Sequence, residues 1–124
     1  MTTLTRNDIP TEGSEMWRTQ WDACTGDLME WLDSIKSEYA FDSVWSLWNV
    51  RDFTEVPFPG ATHVTYMNGF NGKSVGIQIN ENASWLDLWK AADTLITDSG
   101  DRHHVFIEKF KQHDNGDLSL TTGS

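Results

Sequence analysis

The spacing of apolar residues switches between helical and alternating periods along this chain, and the switches divide it into elements. Residues 1–10 show no period and end at Pro10, which reads as a loose arm. From Ser14 the apolar positions run Trp17, Trp21, Cys24, Leu28, Trp31 and Ile35, alternating steps of four and three. That stripe lies on one face of a helix, predicted over Ser14 to Ser37. Gly26 costs about 1 kcal/mol inside a helix relative to Ala, but the register continues across it and argues for one helix. Phe41, Val44, Trp45 and Trp48 again sit at helical spacing behind Asp42-Ser43, which suggests a short second helix. The same stretch also alternates, as Val44, Ser46, Trp48 and Val50. Val56-Pro57-Phe58-Pro59-Gly60 reads as a linker, because each Pro lacks a donor and restricts its predecessor.

Beyond the linker the period becomes two. With Asn71-Gly72 as the centre of a two-residue type I′ turn, Phe70 faces Lys73, Asn68 faces Val75, Tyr66 faces Ile77 and Val64 faces Ile79. Apolar side chains then share one face and His63, Thr65, Ser74 and Gln78 the other, so residues 62–80 are predicted to form a hairpin. Ser84, with Asp87 three residues on, opens a helix with the stripe Trp85, Leu88, Trp89, Ala92, Leu95, Ile96, and Ser99-Gly100 closes it.

From His103 alternation returns. Val105 and Ile107 point one way; His104, Phe106, Glu108 and Phe110 point the other. Asp114-Asn115-Gly116-Asp117 supplies a second turn before Leu118-Ser119-Leu120-Thr121. A two-residue turn places Leu118 and Leu120 with Val105 and Ile107, leaving Phe106 and Phe110 opposite. That hairpin is expected to be apolar on both sides and to need a cover or a partner chain.

The expected fold is therefore α+β in the order α-α-β-β-α-β-β, a four-stranded antiparallel sheet with helices gathered on one face. This element order also resembles the cystatin-like and nuclear-transport-factor-like cones, which implies, as an alternative, a curved sheet around the long helix. A chain of 124 residues fits a single domain spanning 1–124.

Composition changes this picture in three ways. Seven Trp are far more than usual, and the helical stripes carry most of them; Trp17, Trp21 and Trp31, together with Phe106 and Phe110, are the candidate interface residues. Nineteen acidic against nine basic residues give a net charge of −10, which disfavours direct contact with a phosphate backbone or an anionic membrane surface. The acid is uneven, eleven against four basic residues in 1–60 and eight against five in 61–124. Cys24 is the only cysteine, so no intrachain disulfide forms. No secretory signal pattern precedes Pro10, and a reducing, cytoplasmic setting is expected.

The stretch MNGFNGKS, residues 67–74, ends like a phosphate-binding loop. The first glycine of that motif would fall at Met67, and an alternating segment follows where a helix is required, so no nucleotide is expected. No cofactor and no metal set is predicted. His103 and His104 point to opposite faces of a strand, and His104 and Glu108 stand about 13 Å apart along one. Cys24, among acidic neighbours, is a poor nucleophile. Glu108 and His104 are the candidate catalytic residues, Glu108 because flanking Phe side chains would favour its protonated form. The leading expectation is a small, acidic, non-enzymatic accessory or interaction domain, homodimeric or bound to a protein partner. Two alternatives stand beside it: a small-molecule or enzymatic pocket between sheet and helices, and an acidic inhibitor that imitates nucleic acid.

Overall fold

In a computed structural model of the chain, residues 3–6, 21–48, 50–69, 71–101 and 104–123 are described, residues 21–25 by their backbone alone. The elements are α1 (Trp21–Glu38), β1 (Val44–Trp45), β2 (His63–Met67), β3 (Ser74–Gln78), α2 (Trp85–Ser99), β4 (Phe106–Gln112) and β5 (Leu118–Gly123). The architecture is mixed α+β. Among the described residues, five strands form one sheet in the order β1-β4-β5-β2-β3. The sheet is not the purely antiparallel, four-stranded one expected: β1 runs parallel to β4 at one edge, and β5 runs parallel to β2, joining the two antiparallel hairpins.

The first helix crosses Gly26 without a break, as its register requires. Its start at Ser14 falls outside the described residues. It ends in a Schellman arrangement, with Phe41 N–H donating to Lys36 O at 2.9 Å and Ala40 N–H to Ser37 O at 3.3 Å. Ala40 takes the left-handed position at φ 57°.

The short second helix does not form. Asp42 N–H and Ser43 N–H, which would have opened it, donate instead to Asp93 Oδ1 on α2, at 2.9 and 2.8 Å. Held that way, the chain leaves extended, and Val44 and Ser46 donate to the carbonyls of Val105 and Ile107. The alternation in this stretch, rather than its helical spacing, describes what forms.

Both hairpins form, each with a register different from a two-residue turn. In the first, Val64 faces Ile77 and Tyr66 faces Val75, two residues away from expectation. The ladder closes at Asn68, whose N–H donates to Lys73 O, with Gly72 left-handed at φ 70°. A shift of two keeps every side chain on its face, so the apolar face survives. In the second, His113 N–H donates to Asp117 O and Gly116 has φ 91°, a three-residue loop closed by a left-handed glycine. A shift of one exchanges faces and puts Leu118 and Leu120 with Phe110. A bulge between Ile107 and Lys109 then returns Ile107 to that same face. Thus Ile107, Phe110, Leu118 and Leu120 are all buried and Phe106 points outward. The hairpin is apolar on one side, and its two edges are covered by β1 and β2.

One core lies between the helices and that sheet face. Trp45 and Trp89, 1% and 0% exposed, stand at its centre. Around them are Phe53 and Phe110 at 5.2 and 6.1 Å from the Trp45 ring, Trp31 at 5.4 Å from Phe53, and Phe41 at 4.7 Å from Trp89. Much of the tryptophan excess is thus aromatic filling, and truncating such a ring to Ala costs roughly 3–5 kcal/mol. A full capping box on Ser84 and Asp87 starts α2, and Gly100 at φ 77° ends it. The sheet's other face carries His63, Thr65, Ser74, Gln78 and Lys111, all exposed. No described helix is long and apolar enough to cross a membrane.

Candidate functional site

Two places gather chemistry. The first follows from how α2 ends. Past left-handed Gly100 the chain turns inward and carries Asp101 into the interior, 5% exposed. Its carboxylate accepts from the Tyr66 hydroxyl at 2.6 Å, from His104 N–H at 2.9 Å and from His104 Nδ1 at 3.0 Å. An ionised carboxylate can only accept, so Nδ1 carries the proton. Thr122 Oγ1 lies 2.9 Å from the Tyr66 oxygen and donates to it, since the phenol proton is committed to Asp101. Burial first, and the bond to Asp101 second, push the Tyr66 phenol up to about 12. Asn68, also buried, donates from Nδ2 to Ser99 O at 3.0 Å and closes the same corner.

An imidazole oriented by a buried carboxylate is the arrangement acid–base catalysis uses. Here the cleft beside it is small, about 230 Å³, lined by Tyr66, Met67, Gly69, His104, Leu120, Thr121 and Thr122. Ligand pockets usually start near 300 Å³. Behind the carboxylate a second cleft of about 340 Å³ is lined by Asp42, Ser43, Asp93, Ile96, Thr97, Gly100, Asp101 and Val105. Asp93 there is occupied by Asp42 N–H, Ser43 N–H and the Ser43 hydroxyl. These polar groups tie β2, β5, α2 and the entry to β1 together, which is work of cohesion.

The second place lies at the β1 edge of the sheet. Met29 from α1 is 50% exposed and Phe106 from β4 is 38% exposed. With half-buried Trp48 and with Leu32, Val44 and Trp45 they line a slot of about 60 Å³, and Asp33 stands on its rim. The Arg51 guanidinium donates to Trp48 O and fixes that turn. Along α1 the rim continues as a shelf of Glu30, Asp33, Ser34 and Ser37. An apolar centre with an acidic border results.

The expected site residues divide between these places. His104 belongs to the Asp101 cluster. Glu108 lies at the bulge, exposed, with its carboxylate against Gly123, where a Cβ would clash with Glu108 Oε1. The flanking Phe side chains do not enclose it: the bulge sends Phe110 inward and Phe106 outward. Glu108 is not among the residues that line the cleft beside His104. Of the candidate interface residues, Phe106 is on the surface, whereas Trp31 and Phe110, at 3% and 7% exposure, are core. Trp31 further donates from Nε1 to Thr3 O at 2.8 Å. Trp17 and the Trp21 side chain lie outside the described residues. His63 is on the open sheet face, 3.7 Å from Asp117, and among the described residues no cluster of His, Cys, Asp and Glu suits a metal.

Sequence reasoning missed Asp101, Asp93 and Met29. Asp101 follows a helix-closing Ser-Gly with no periodic pattern around it. Asp93 is the more legible, an acid beside the Trp89–Ala92–Ile96 stripe and so close to the buried side of its helix. Met29 flanks the α1 stripe and becomes significant only when β1 is laid against it. No protein-family model, curated protein or solved structure matches the chain.

Proposed function

We propose that this chain is a non-enzymatic protein-interaction domain that receives a basic partner on the Met29–Trp48–Phe106 face. The observation that carries this reading is the convergence of three large apolar side chains, from segments 19 and 58 residues apart in sequence, on one exposed slot beside Asp33. A partner that covers the area these side chains still expose gains about 25 cal/mol per Å² of apolar surface, and Trp is enriched among interface hot spots. The acidic shelf of Glu30 and Asp33 and the net charge of −10 favour a partner with Arg or Lys around an apolar anchor, and speed its encounter. A nucleic-acid-imitating inhibitor is a special case of this reading, with a basic nucleic-acid-binding protein as the partner. The enzymatic alternative draws less support, since the cleft beside His104 is shallow and its polar groups are engaged in the fold. A cytoplasmic setting, suggested by the single cysteine, belongs to the same proposal.

The test is affinity capture from cells of origin with the wild-type chain and with Met29→Glu/Phe106→Glu, at low and high salt. Both substituted side chains are exposed, so the variant is expected to keep the wild-type Tm. A basic protein captured by wild type, released by salt and lost with the variant supports the reading. Identical capture by both chains overturns it.

A further inference from the structure

The opposite edge of the sheet has a different character. Strand β3 pairs with β2 alone among the described residues. Its ladder alternates: Ile79 N–H donates to Thr62 O and Asn68 N–H to Lys73 O. Lys73, Val75, Ile77 and Ile79 therefore turn their backbone groups toward β2, and Ser74, Gly76 and Gln78 turn theirs outward. The run Ser74-Val75-Gly76-Ile77-Gln78-Ile79-Asn80 contains no charge and no proline, and β3 has no bulge. Natural sheet edges are usually protected by one of these devices, because a row of open N–H and C=O groups templates another strand.

Beside the edge runs a groove of about 610 Å³ between β3 and α2, lined among others by Ile77, Ile79, Asp87, Lys90, Ala91 and Thr94. Ile77 and Ile79 line it and are half-buried. The groove wall carries one acid and one base three residues apart, a distribution that complements itself under two-fold rotation.

We infer that β3 pairs antiparallel with β3 of a second copy, forming a ten-stranded sheet across a two-fold axis near Gly76. A two-fold contact uses the same patch twice, and this patch offers open backbone groups on alternate residues, half-buried isoleucines, and an acid and a base, Asp87 and Lys90, on one groove wall. The charge of the whole chain does not forbid it. The acidic α1 shelf lies by β1, four strands away, about 19 Å at the usual strand spacing and more than two screening lengths in physiological salt. Gly76 adds no obstruction, and a Cβ there would meet only ordinary contacts, at 3.5 Å from Thr65. The inference is independent of the basic-partner face, and pairing would place two such faces at the far ends of one sheet.

The experiment is light-scattering mass determination across a dilution series, for wild type and Gln78→Pro. Proline at 78 removes an outward-facing N–H and leaves the β2 ladder intact. Wild type is expected at twice the 14.1 kDa chain mass, dissociating on dilution, and the variant at the single-chain mass with unchanged far-ultraviolet circular dichroism. Hydrogen exchange on the wild type reads the same edge without substitution: Ser74, Gly76 and Gln78 amides gain protection as concentration rises. A wild type of single-chain mass at every concentration overturns the inference, as does a folded Gln78→Pro dimer. Single-chain mass with those amides protected only in the presence of a captured protein also overturns it, and makes a foreign strand the occupant.

Discussion

The hydroxyl of Tyr66 on β2 donates a 2.6 Å hydrogen bond to the carboxylate of Asp101, which sits in the link between α2 and β4 and is 5% exposed. Tyr66→Phe removes a donor from a buried charge, and such losses cost about 1–3 kcal/mol. The phenol, raised from 10.0 to about 12 in the folded protein, also links stability to alkaline pH. A raised folded value means that this contribution is complete below about pH 10, the unfolded value, and is lost as pH climbs through the folded one. Urea titrations at neutral pH and at steps from pH 9 to 12 are expected to show wild type losing its advantage over Tyr66→Phe across the upper window. A constant difference between the two would contradict this linkage.

Asp93 replaces a helix cap with a bridge between elements. Its Oδ1 accepts three bonds at 2.6–2.9 Å from Asp42 and Ser43, and Ser43, 1% exposed, in turn accepts from Trp89 Nε1 at 3.1 Å. Asp93→Ala is expected to lower unfolding free energy by about 2 kcal/mol, since bonds to a charged acceptor are worth about 1.5–3 kcal/mol. Asp93→Asn, which keeps an oxygen acceptor, should lose less. Denaturant midpoints for the two variants decide the order.

Deletions in β4 should separate sharply by position. The bulge exists because two residues, Glu108 and Lys109, stand between inward-facing Ile107 and Phe110. Removing Glu108 restores strict alternation with both side chains still inside, and a loss below about 1 kcal/mol is expected, as for a surface change. Removing Lys111 breaks an alternation that is already regular and drives Phe110 toward the open face, at a cost of roughly 3–5 kcal/mol. Thermal melts of the two deletion variants compare them directly; equal destabilisation would refute the register described for this hairpin.

Much of the architecture is legible from periodicity, and the departures have local causes. The α1 stripe, the α2 stripe with its capping box and both hairpins follow from spacing and Asn-Gly chemistry. The first hairpin tolerates a two-residue slip because side chains alternate with period two. The second cannot tolerate one, and the bulge at Glu108 that corrects it leaves no mark in the pattern. Val44-Trp45 carries both periods, and Asp93, a side chain 50 residues beyond the preceding Ser43, decides between them. The candidate site is less legible: type and phase mark His104 and Phe106, whereas Asp101, Met29 and the slot between α1 and β1 depend on contacts across the whole chain.

Ala40 holds the left-handed position that closes α1, at φ 57°. A side chain there costs about 1–2 kcal/mol that glycine avoids. Ala40→Gly is therefore expected to raise unfolding free energy by about 1 kcal/mol, an increase in Tm readable by calorimetry. A decrease would mean that backbone freedom in the unfolded chain outweighs the relief.

The parallel seam between β2 and β5 joins residues far apart in the sequence. Val64 pairs with Leu118 and Thr65 with Ser119, so the strands that unite the sheet lie 54 residues apart, whereas each hairpin closes over a few residues. Loop-closure entropy favours the local ladders first and the two parallel pairings, β2–β5 and β1–β4, later. Val64→Ala should then retard refolding in stopped-flow experiments, while Ile77→Ala, on the outer strand, should chiefly accelerate unfolding. In that order of events the aromatic interior would stay open until the distant strands pair, so Val64→Ala is also expected to leave more aggregate on refolding than wild type.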